Sequence, residues 1–504
     1  MSGIRHFLVT EHKRSIVIAI IFIAVVVRCI FFSGGIRGSD AYAYAQYAYD
    51  ISSNSYHLGN IADHFGFRYT VLIPTAISYA LFGVNDVSSA IFPFLLSILN
   101  ILIILKIGEK IYDFKTAVVA GIFMAFYPLD ILTASVLGPD SFTPILSSLA
   151  ILTYLIAIDN DLKNKTVVYF CLSGIMVGIA MGARETSIFI YGVLVFFHIL
   201  KRCKWTPLLW ITLGLGIPVI VEMTFYYISE GNAFLRTEIL DQLKILIKND
   251  YQESAGSLLY YPKIMFGFEL QGLATYGLIW WFTVAGLLFA VVKKDYRNLL
   301  PGIWVVLPFL GFEFGVQSFK EMILVSKSYN YLALITPPAM LLSAYFLTNF
   351  FNRGYFAKHK PLYITAIFMC LVGMNLYGTY RIYWNVKDDA APYIAVANYF
   401  KTESHKEIYV HHGRWPLFLK YFLRYDPSLQ FRDMETISEN VPDKIRNAYV
   451  IMHQRYLYAD VRGRLFEKQP DYARYMNDPP ANWEQVISFK GRPTYNDVNL
   501  YYAR

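Results

Sequence analysis

Long apolar stretches set the pattern of this chain. Taking roughly 20 residues for one crossing of a bilayer, windows able to span occur near 16–32, 87–105, 117–135, 141–158, 166–183, 187–200, 206–228, 273–292, 299–317, 329–350 and 361–383, eleven in all. A twelfth stretch, 67–82, carries Arg68 near its start and Pro74 inside it and is short for a crossing. Beyond Trp384 the period changes. Residues 407–410, 448–451, 485–489 and 499–502 read as strands, and 415–423 reads as a helix between the first two. Two units are predicted: a transmembrane domain over 1–384 and a soluble α/β domain over 385–504, the second large enough for a core of its own.

Basic residues decide how 67–82 is read. If it does not cross, the basic short loops all fall on the side of the N-terminus: Lys13 and Arg14; Lys106, Lys110 and Lys115; Lys163 and Lys165; Lys201 and Arg202; Lys293, Lys294 and Arg297; Arg353 and Lys358. Loops of that kind stay in the cytoplasm. Counting 67–82 as a crossing would set every later group opposite the first, so it is predicted to be a re-entrant or interfacial helix on the outer face. That face then receives the loop 33–85, the corners at 138–140 and 184–185, the loops 229–272 and 317–328, and everything after 384. A basic lead and an apolar stretch without a small-residue cleavage site predict an uncleaved anchor. The expectation is a multi-pass protein of the cell membrane with a cytoplasmic N-terminus and an extracytoplasmic C-terminal domain.

Composition agrees with that class. Hydrophobic residues are 56% of 504, charged residues 16%, and the mean hydropathy is +0.38, well above an ordinary soluble domain. Aromatics at 17% suit interfacial belts. The net charge of +8 is spread over short loops, which argues for orientation in a membrane and against a nucleic-acid partner. Cys29, Cys171 and Cys370 lie within predicted spans and Cys203 in a cytoplasmic loop, so no disulfide framework or zinc spacing is present.

Charge inside the membrane is expensive and usually marks a cavity or a pathway. Following each span by its direction, Arg28, Asp130, Glu222 and Glu313 fall in outer halves, beside Asp40, Arg68, Asp140, Arg184 and Glu185 at the outer corners. Each could instead fix helix packing as a paired or snorkelling residue. Asp40 follows the first span by only a short exit and should stand at headgroup depth, wet on one side. Arg68 and Arg184 are candidates for a phosphate, since the guanidinium fork matches phosphate oxygens.

Several motifs taken in order resemble one family. They are Ser39-Asp40-Ala41-Tyr42 after the first span, Phe67-Arg68-Tyr69 leading to Pro74 and then Leu81-Phe82-Gly83, Tyr127-Pro128 with Gly138-Pro139-Asp140, and the glycine-bearing run from Gly174 to Arg184-Glu185. Together they resemble the GT-C membrane glycosyltransferases, in the branch that includes protein O-mannosyltransferases, the aminoarabinose transferase acting on lipid A, and rhizobial lipopolysaccharide sugar transferases. The resemblance is strongest over 16–200. It implies a GT-C-like fold of about eleven transmembrane helices with an outer interfacial helix. It also implies a polyprenyl- or dolichyl-phosphate sugar as donor, and inverting attack of an acceptor hydroxyl on the anomeric carbon. Partners would be that lipid-linked donor, a glycan, lipid or protein acceptor, and membrane lipids. Asp40 matches the family's catalytic acid and would be the general base; Asp140 matches its second acid and would help place donor or acceptor, with Glu185 in support. At Tyr329-Asn330-Tyr331, before Pro337-Pro338, Asn330 stands where the family often has Arg, which would leave a phosphate contact there to Lys327 or Lys320.

Other signatures are poorer. Asp159-Asn160-Asp161 has the form that binds a nucleotide sugar through a metal, but lies in a short cytoplasmic turn. Gly34-Gly35-Ile36-Arg37-Gly38 lacks the strand-to-helix context of a phosphate loop and reads as a flexible exit. His411 and His412, as neighbours on a strand, would point to opposite faces and could not share an ion. The outer acids could hold a divalent metal, but no spacing demands a cofactor. A lipid-linked glycan polymerase or ligase would share such an outer cavity and stands as the alternative. A transporter or flippase fits less well, because no internal repeat is present.

Overall fold

A computed structural model describes residues 2–36, 38–61, 63–159, 166–202, 204–242, 258–267, 270–318, 323–325, 327–350, 360–403, 407–434, 444–458, 471–491 and 497–504. Arg37, Asn160, Asp161, Lys163, Lys165, Cys203, Lys320, Arg353 and Lys358 lie outside the described residues.

The long helix α1 (Ser2–Ile30) is followed by a short one, α2 (Gly38–Ser52), a 3-10 turn His64–Phe67, and α3 (Tyr69–Phe82). Then come α4 (Asp86–Ile111), α5 (Phe114–Ala125), α6 (Pro128–Thr133), α7 (Phe142–Asp159), α8 (Thr166–Ala183), α9 (Ile188–Leu200) and α10 (Thr206–Glu230). Further helices cover Ile279–Lys293, Leu299–Phe314, Thr336–Phe350 and Lys360–Phe400. Among the described residues, six helices are long and apolar enough to cross a membrane; Tyr69–Phe82, Phe114–Ala125, Glu185–Leu200 and Ile279–Lys293 are apolar but shorter.

Local chemistry accounts for the helix boundaries. At the start of α4, Asn85 accepts from the Ser88 amide at 2.9 Å while Ser88 Oγ accepts from the Asn85 amide at 3.0 Å, a reciprocal cap that satisfies two orphan donors. The window 117–135 does not form one helix. Pro128 has no N–H and biases the residue before it away from helix; Tyr127 is extended (φ −76°, ψ 122°), and the chain breaks into α5 and α6.

Two glycine contacts fix the frame of these helices. A Cβ on Gly174 would sit 1.9 Å from the Ile211 carbonyl oxygen and one on Gly214 2.0 Å from that of Cys171, so α8 and α10 touch backbone to backbone, as small residues allow between membrane helices. The exit from α1 is a fixed turn where a flexible one was expected. Gly34 has φ +90°, a Cβ on Gly35 would lie 2.2 Å from Asp86 O, and Gly35 O accepts from the Leu137 amide at 2.8 Å.

A two-stranded ribbon, β1 (Val316–Ser318) and β2 (Ile323–Leu324), precedes a 3-10 segment Tyr329–Ile335. The last window does not stop near Trp384: its helix continues to Phe400. The chain then forms a mixed sheet of β3 (Glu407–Val410), β4 (Gln430–Asp433), β5 (Ala448–His453), β6 (Trp483–Phe489) and β7 (Val498–Ala503), in the order β4-β3-β5-β7-β6. Strands β4, β3 and β5 are parallel, and β7 and β6 add antiparallel. Four of the five strands lie where the alternation placed them. Strand β4 was not foreseen, because Gln-Phe-Arg-Asp is an exposed edge with almost no apolar pattern. On β5, Tyr449 and Ile451 face one core and Ala448, Val450 and Met452 the other, the period of two expected of a strand. The first of these cores also contains Tyr42, Tyr44 and Ala45 of α2 and Val71 and Leu72 of α3. One face of the sheet therefore packs into the same apolar mass as α2 and α3.

Candidate active site

Asp40 stands in the first turn of α2 and is exposed, where the helix dipole favours a carboxylate. Tyr44, one turn on, points to the same side and is buried. Its hydroxyl accepts a short hydrogen bond from Arg68 Nη1, and the Arg68 guanidinium also lies 5.8 Å from the Tyr44 and Phe65 ring centroids. Arg68 sits where the turn His64–Phe67 hands over to α3, and Thr70 Oγ1 donates to the Ile179 carbonyl at 2.7 Å. That bond fixes α3 against α8.

Arg184 ends α8 in extended conformation (φ −158°, ψ 128°). Its Nη1 is 2.7 Å from Asp140 Oδ1, and its guanidinium lies 4.9 Å from the Tyr331 ring centroid. Arg68 and Arg184 are 8% and 9% exposed, and the Nε of each is buried without a hydrogen-bond partner among the described residues. An unmet cationic donor in a dry site is costly and needs an explanation; an oxyanion ligand would meet both. Burial pushes the Asp140 carboxyl above the usual range, opposed by Arg184 and Arg68, and the Asp40 charge raises it further.

Glu185 lies between two arginines, Arg236 Nη2 at 2.5 Å and Arg68 Nη2 at 3.7 Å. Burial alone would raise its carboxyl, but Arg68 and Arg236 together pull it down to about 2. Arg236 Nη1 also bonds Glu222 Oε1 at 2.8 Å, and Glu222 accepts a short bond from Tyr226. Five of the six residues selected from sequence thus surround one corner: Asp40, Arg68, Asp140, Arg184 and Glu185. Lys327 is placed differently. Its Nζ bonds Glu313 Oε1 at 2.6 Å with neither side chain exposed, and Glu313 also accepts from the Tyr260 and Tyr261 amides at 3.2 and 3.0 Å. Arg28 and Asp130 pair with each other, with Ser97 bonding both.

Sequence reasoning missed Arg236, Tyr44 and Tyr331. Arg236 lies in a short helical segment after α10 with no motif around it, and its partner Glu185 is 51 positions away. Tyr331 was seen only as part of a degenerate Tyr-Asn-Tyr signal, although that segment places its ring beneath Arg184. Elsewhere, His411 Nδ1 and Nε2 lie 3.0 and 3.2 Å from the Ile451 and His453 carbonyl oxygens. Among the described residues no three His, Cys, Asp or Glu side chains are grouped to hold a metal ion.

The chain aligns with a solved structure of ArnT from Cupriavidus metallidurans in the apo state, at a TM-score of 0.63 and 16% identity over 96% of this chain and 97% of that one. Residues 72–227 match the family described as dolichyl-phosphate-mannose-protein mannosyltransferase. The fold is that of the GT-C membrane glycosyltransferases. The same GT-C protein bound to undecaprenyl phosphate aligns at a TM-score of 0.58 and 15% identity, over 96% and 97% of the two chains. The archaeal oligosaccharyltransferase AglB from Archaeoglobus fulgidus, in complex with an inhibitory peptide and a dolichol-phosphate, aligns at 0.55 and 11%, over 98% of this chain and 74% of its own. No curated protein matches by sequence. The family match begins inside α3 and ends in α10, so it includes Asp140, Arg184, Glu185 and Glu222, while Asp40 and Arg68 lie before it.

Proposed function

We propose that this chain is an inverting glycosyltransferase that moves a sugar from a polyprenyl- or dolichyl-phosphate carrier to an acceptor hydroxyl on the outer face of the membrane. The observation that carries the reading is the pair of buried arginines, each with an unmet Nε, beside an exposed carboxylate at the start of α2. Arg68 and Arg184 would hold the carrier phosphate. As the acceptor oxygen attacks the anomeric carbon, the bond from that carbon to the phosphate oxygen breaks, and negative charge grows on the leaving phosphate. Preformed donors aimed at that charge lower the barrier. Asp40 takes the acceptor proton. Asp140, tied to Arg184, keeps one guanidinium oriented, and Glu185 with Arg236 does the same for Arg68. Lys327, locked to Glu313, would support the Tyr329–Ile335 segment on which Tyr331 sits.

The same reading has the chain cross the membrane eleven times with the N-terminus in the cytoplasm, Tyr69–Phe82 lying at the outer interface, and 385–504 forming an extracytoplasmic domain. Neighbours of this fold solved with undecaprenyl phosphate and with a dolichol-phosphate support a lipid-phosphate carrier here.

The decisive experiment is Asp40→Asn, which keeps size and removes basicity. Transfer of radiolabel from undecaprenyl-phosphate sugars by the purified variant should fall by about 10² or more, the lower range for loss of a general base, with carrier binding retained. Wild-type turnover in the variant would sink the proposed base and move it to Asp140 or Glu185.

A further inference from the structure

Helix α2 is held from two sides. Successive residues turn by about 100°, so Asp40 and Tyr42 point in nearly opposite directions. Asp40 and Tyr44 share the side that meets Arg68. Tyr42, Ala45 and Tyr49 share the other, and the helix Arg414–Phe422 of the C-terminal unit covers it. The Tyr42 ring lies 3.8 Å from that of Phe418, 5.7 Å from Tyr421 and 6.0 Å from Phe422. Tyr49 stacks on Tyr425 at 4.1 Å and 12°. Tyr42 is 1% and Phe418 6% exposed.

The covering helix is itself anchored. Tyr421 Oη donates to Asp86 Oδ1 at 3.1 Å and lies 2.9 Å from Ser89 Oγ, and Ser89 Oγ is 2.8 Å from Tyr79 Oη. One hydroxyl thus ties the C-terminal helix to α4, and through Ser89 to α3. An isolated helix of the length of α2 is marginal in water, so its rotation is set by what packs on it.

We propose that Phe418 and Tyr421 are positioning residues that fix the rotation of α2, and through it the reach of Asp40 toward the acceptor hydroxyl. The inference rests on the reading of Asp40 as the base. It gives the C-terminal unit a part in the reaction, as the clamp that aims the base from behind.

The test uses the full chain in detergent, with amide hydrogen exchange over 40–52 measured beside transfer kinetics from undecaprenyl-phosphate sugars. Phe418→Ala should raise exchange along α2 by about tenfold or more, since truncating a buried Phe costs well beyond one decade in stability, while α7 and α8 stay protected. The kcat should fall on the order of 10²-fold with donor KM unchanged, as expected when a reacting group is displaced by about 1 Å. Phe418→Leu should restore both. Because Phe418→Ala could unfold the C-terminal unit, Tyr421→Phe provides the milder probe: it keeps the ring, loses the Asp86 and Ser89 bonds, and should move both readouts the same way by less. A purely structural role would lower the yield of folded protein without changing kcat per folded molecule. Unchanged α2 exchange in both variants, or raised exchange with unchanged kcat, overturns the proposal. If the wild-type protein transfers no sugar, the functional reading fails on its own, and the exchange data still decide whether these contacts hold α2.

Discussion

Arg236 Nη2 and Glu185 Oε1 are 2.5 Å apart although 51 positions separate the two residues. The same guanidinium reaches Glu222 on α10 and the Met181 carbonyl on α8. Three elements therefore close on one carboxylate: the end of α8, the segment after α10, and the start of α3 through Arg68. Sharing Glu185 with Arg236 also leaves Arg68 in a loose contact at 3.7 Å, with donors still able to turn to a ligand.

Removing either arginine proposed to hold the carrier phosphate should weaken use of the donor. A hydrogen bond to a charged group is worth about 1.5 to 3 kcal/mol, so Arg68→Ala or Arg184→Ala should raise donor KM by roughly 10- to 100-fold in transfer assays with undecaprenyl-phosphate sugars. An unchanged KM in both variants would take these residues out of the site.

The α8–α10 contact should tolerate no side chain at Gly174. Overpacking costs about 1 to 3 kcal/mol even where side chains can shift, and here the obstacle is the Ile211 carbonyl at 1.9 Å. Gly174→Ala should lower the melting temperature of the detergent-solubilised protein clearly. Gly216→Ala, whose Cβ would meet only Ile220 Cδ1 at 3.9 Å, should not. Equal melting temperatures would contradict the close approach.

Acid should loosen the sheet. His411 is 4% exposed, and burial lowers its pKa to about 4, with the Ile451 and His453 carbonyls partly opposing. The folded value lies below the unfolded value of about 6.5, so the unfolded chain takes up the proton first as pH falls. The neutral ring's contribution is therefore complete above pH 6.5 and declines between 6.5 and 4, by up to about 3 kcal/mol. His412 shifts the same way. Melting curves at pH 7.5 and 5 should differ, and His411→Gln should shrink that difference. A variant as acid-sensitive as the wild type would assign the effect to another group.

Orientation has a direct readout. A reporter active only in the cytoplasm, fused after Arg504, should be silent, and one fused after Arg202 should be active. Activity from the Arg504 fusion would overturn the eleven-crossing arrangement.

The apolar windows showed where helices form, because a membrane helix needs little beyond length and apolarity. The residues of the candidate site were legible for a different reason: Asp40, Arg68, Asp140, Arg184 and Glu185 are charges at the ends of apolar stretches, and Asp40 and Asp140 stand in motifs that resemble a known family. What could not be read is how they pair. Arg28 with Asp130, Arg236 with Glu185 and Lys327 with Glu313 join elements distant in sequence, and no spacing encodes such contacts. The break at Tyr127-Pro128 was present in the sequence but was outweighed by the apolar run on either side. The role of Tyr42 was invisible, because its partner Phe418 belongs to a different unit of the chain.

The helix Lys360–Phe400 has 41 residues, a length of about 60 Å at 1.5 Å per residue, twice a hydrocarbon layer of about 30 Å. Tyr393, Val396, Ala397 and Phe400 near its end share a core with Ile408 and Val410 of β3, so the sheet is carried on a stiff arm by packing against it. A loop absorbs an extra residue, but a helix converts it into a rotation of about 100° and a rise of about 1.5 Å. Inserting one residue between Trp384 and Phe400 would swing the whole sheet about the arm and carry Phe418 away from Tyr42, with every side chain of the interface still present. The arm's length is thus a constraint of its own, independent of its composition.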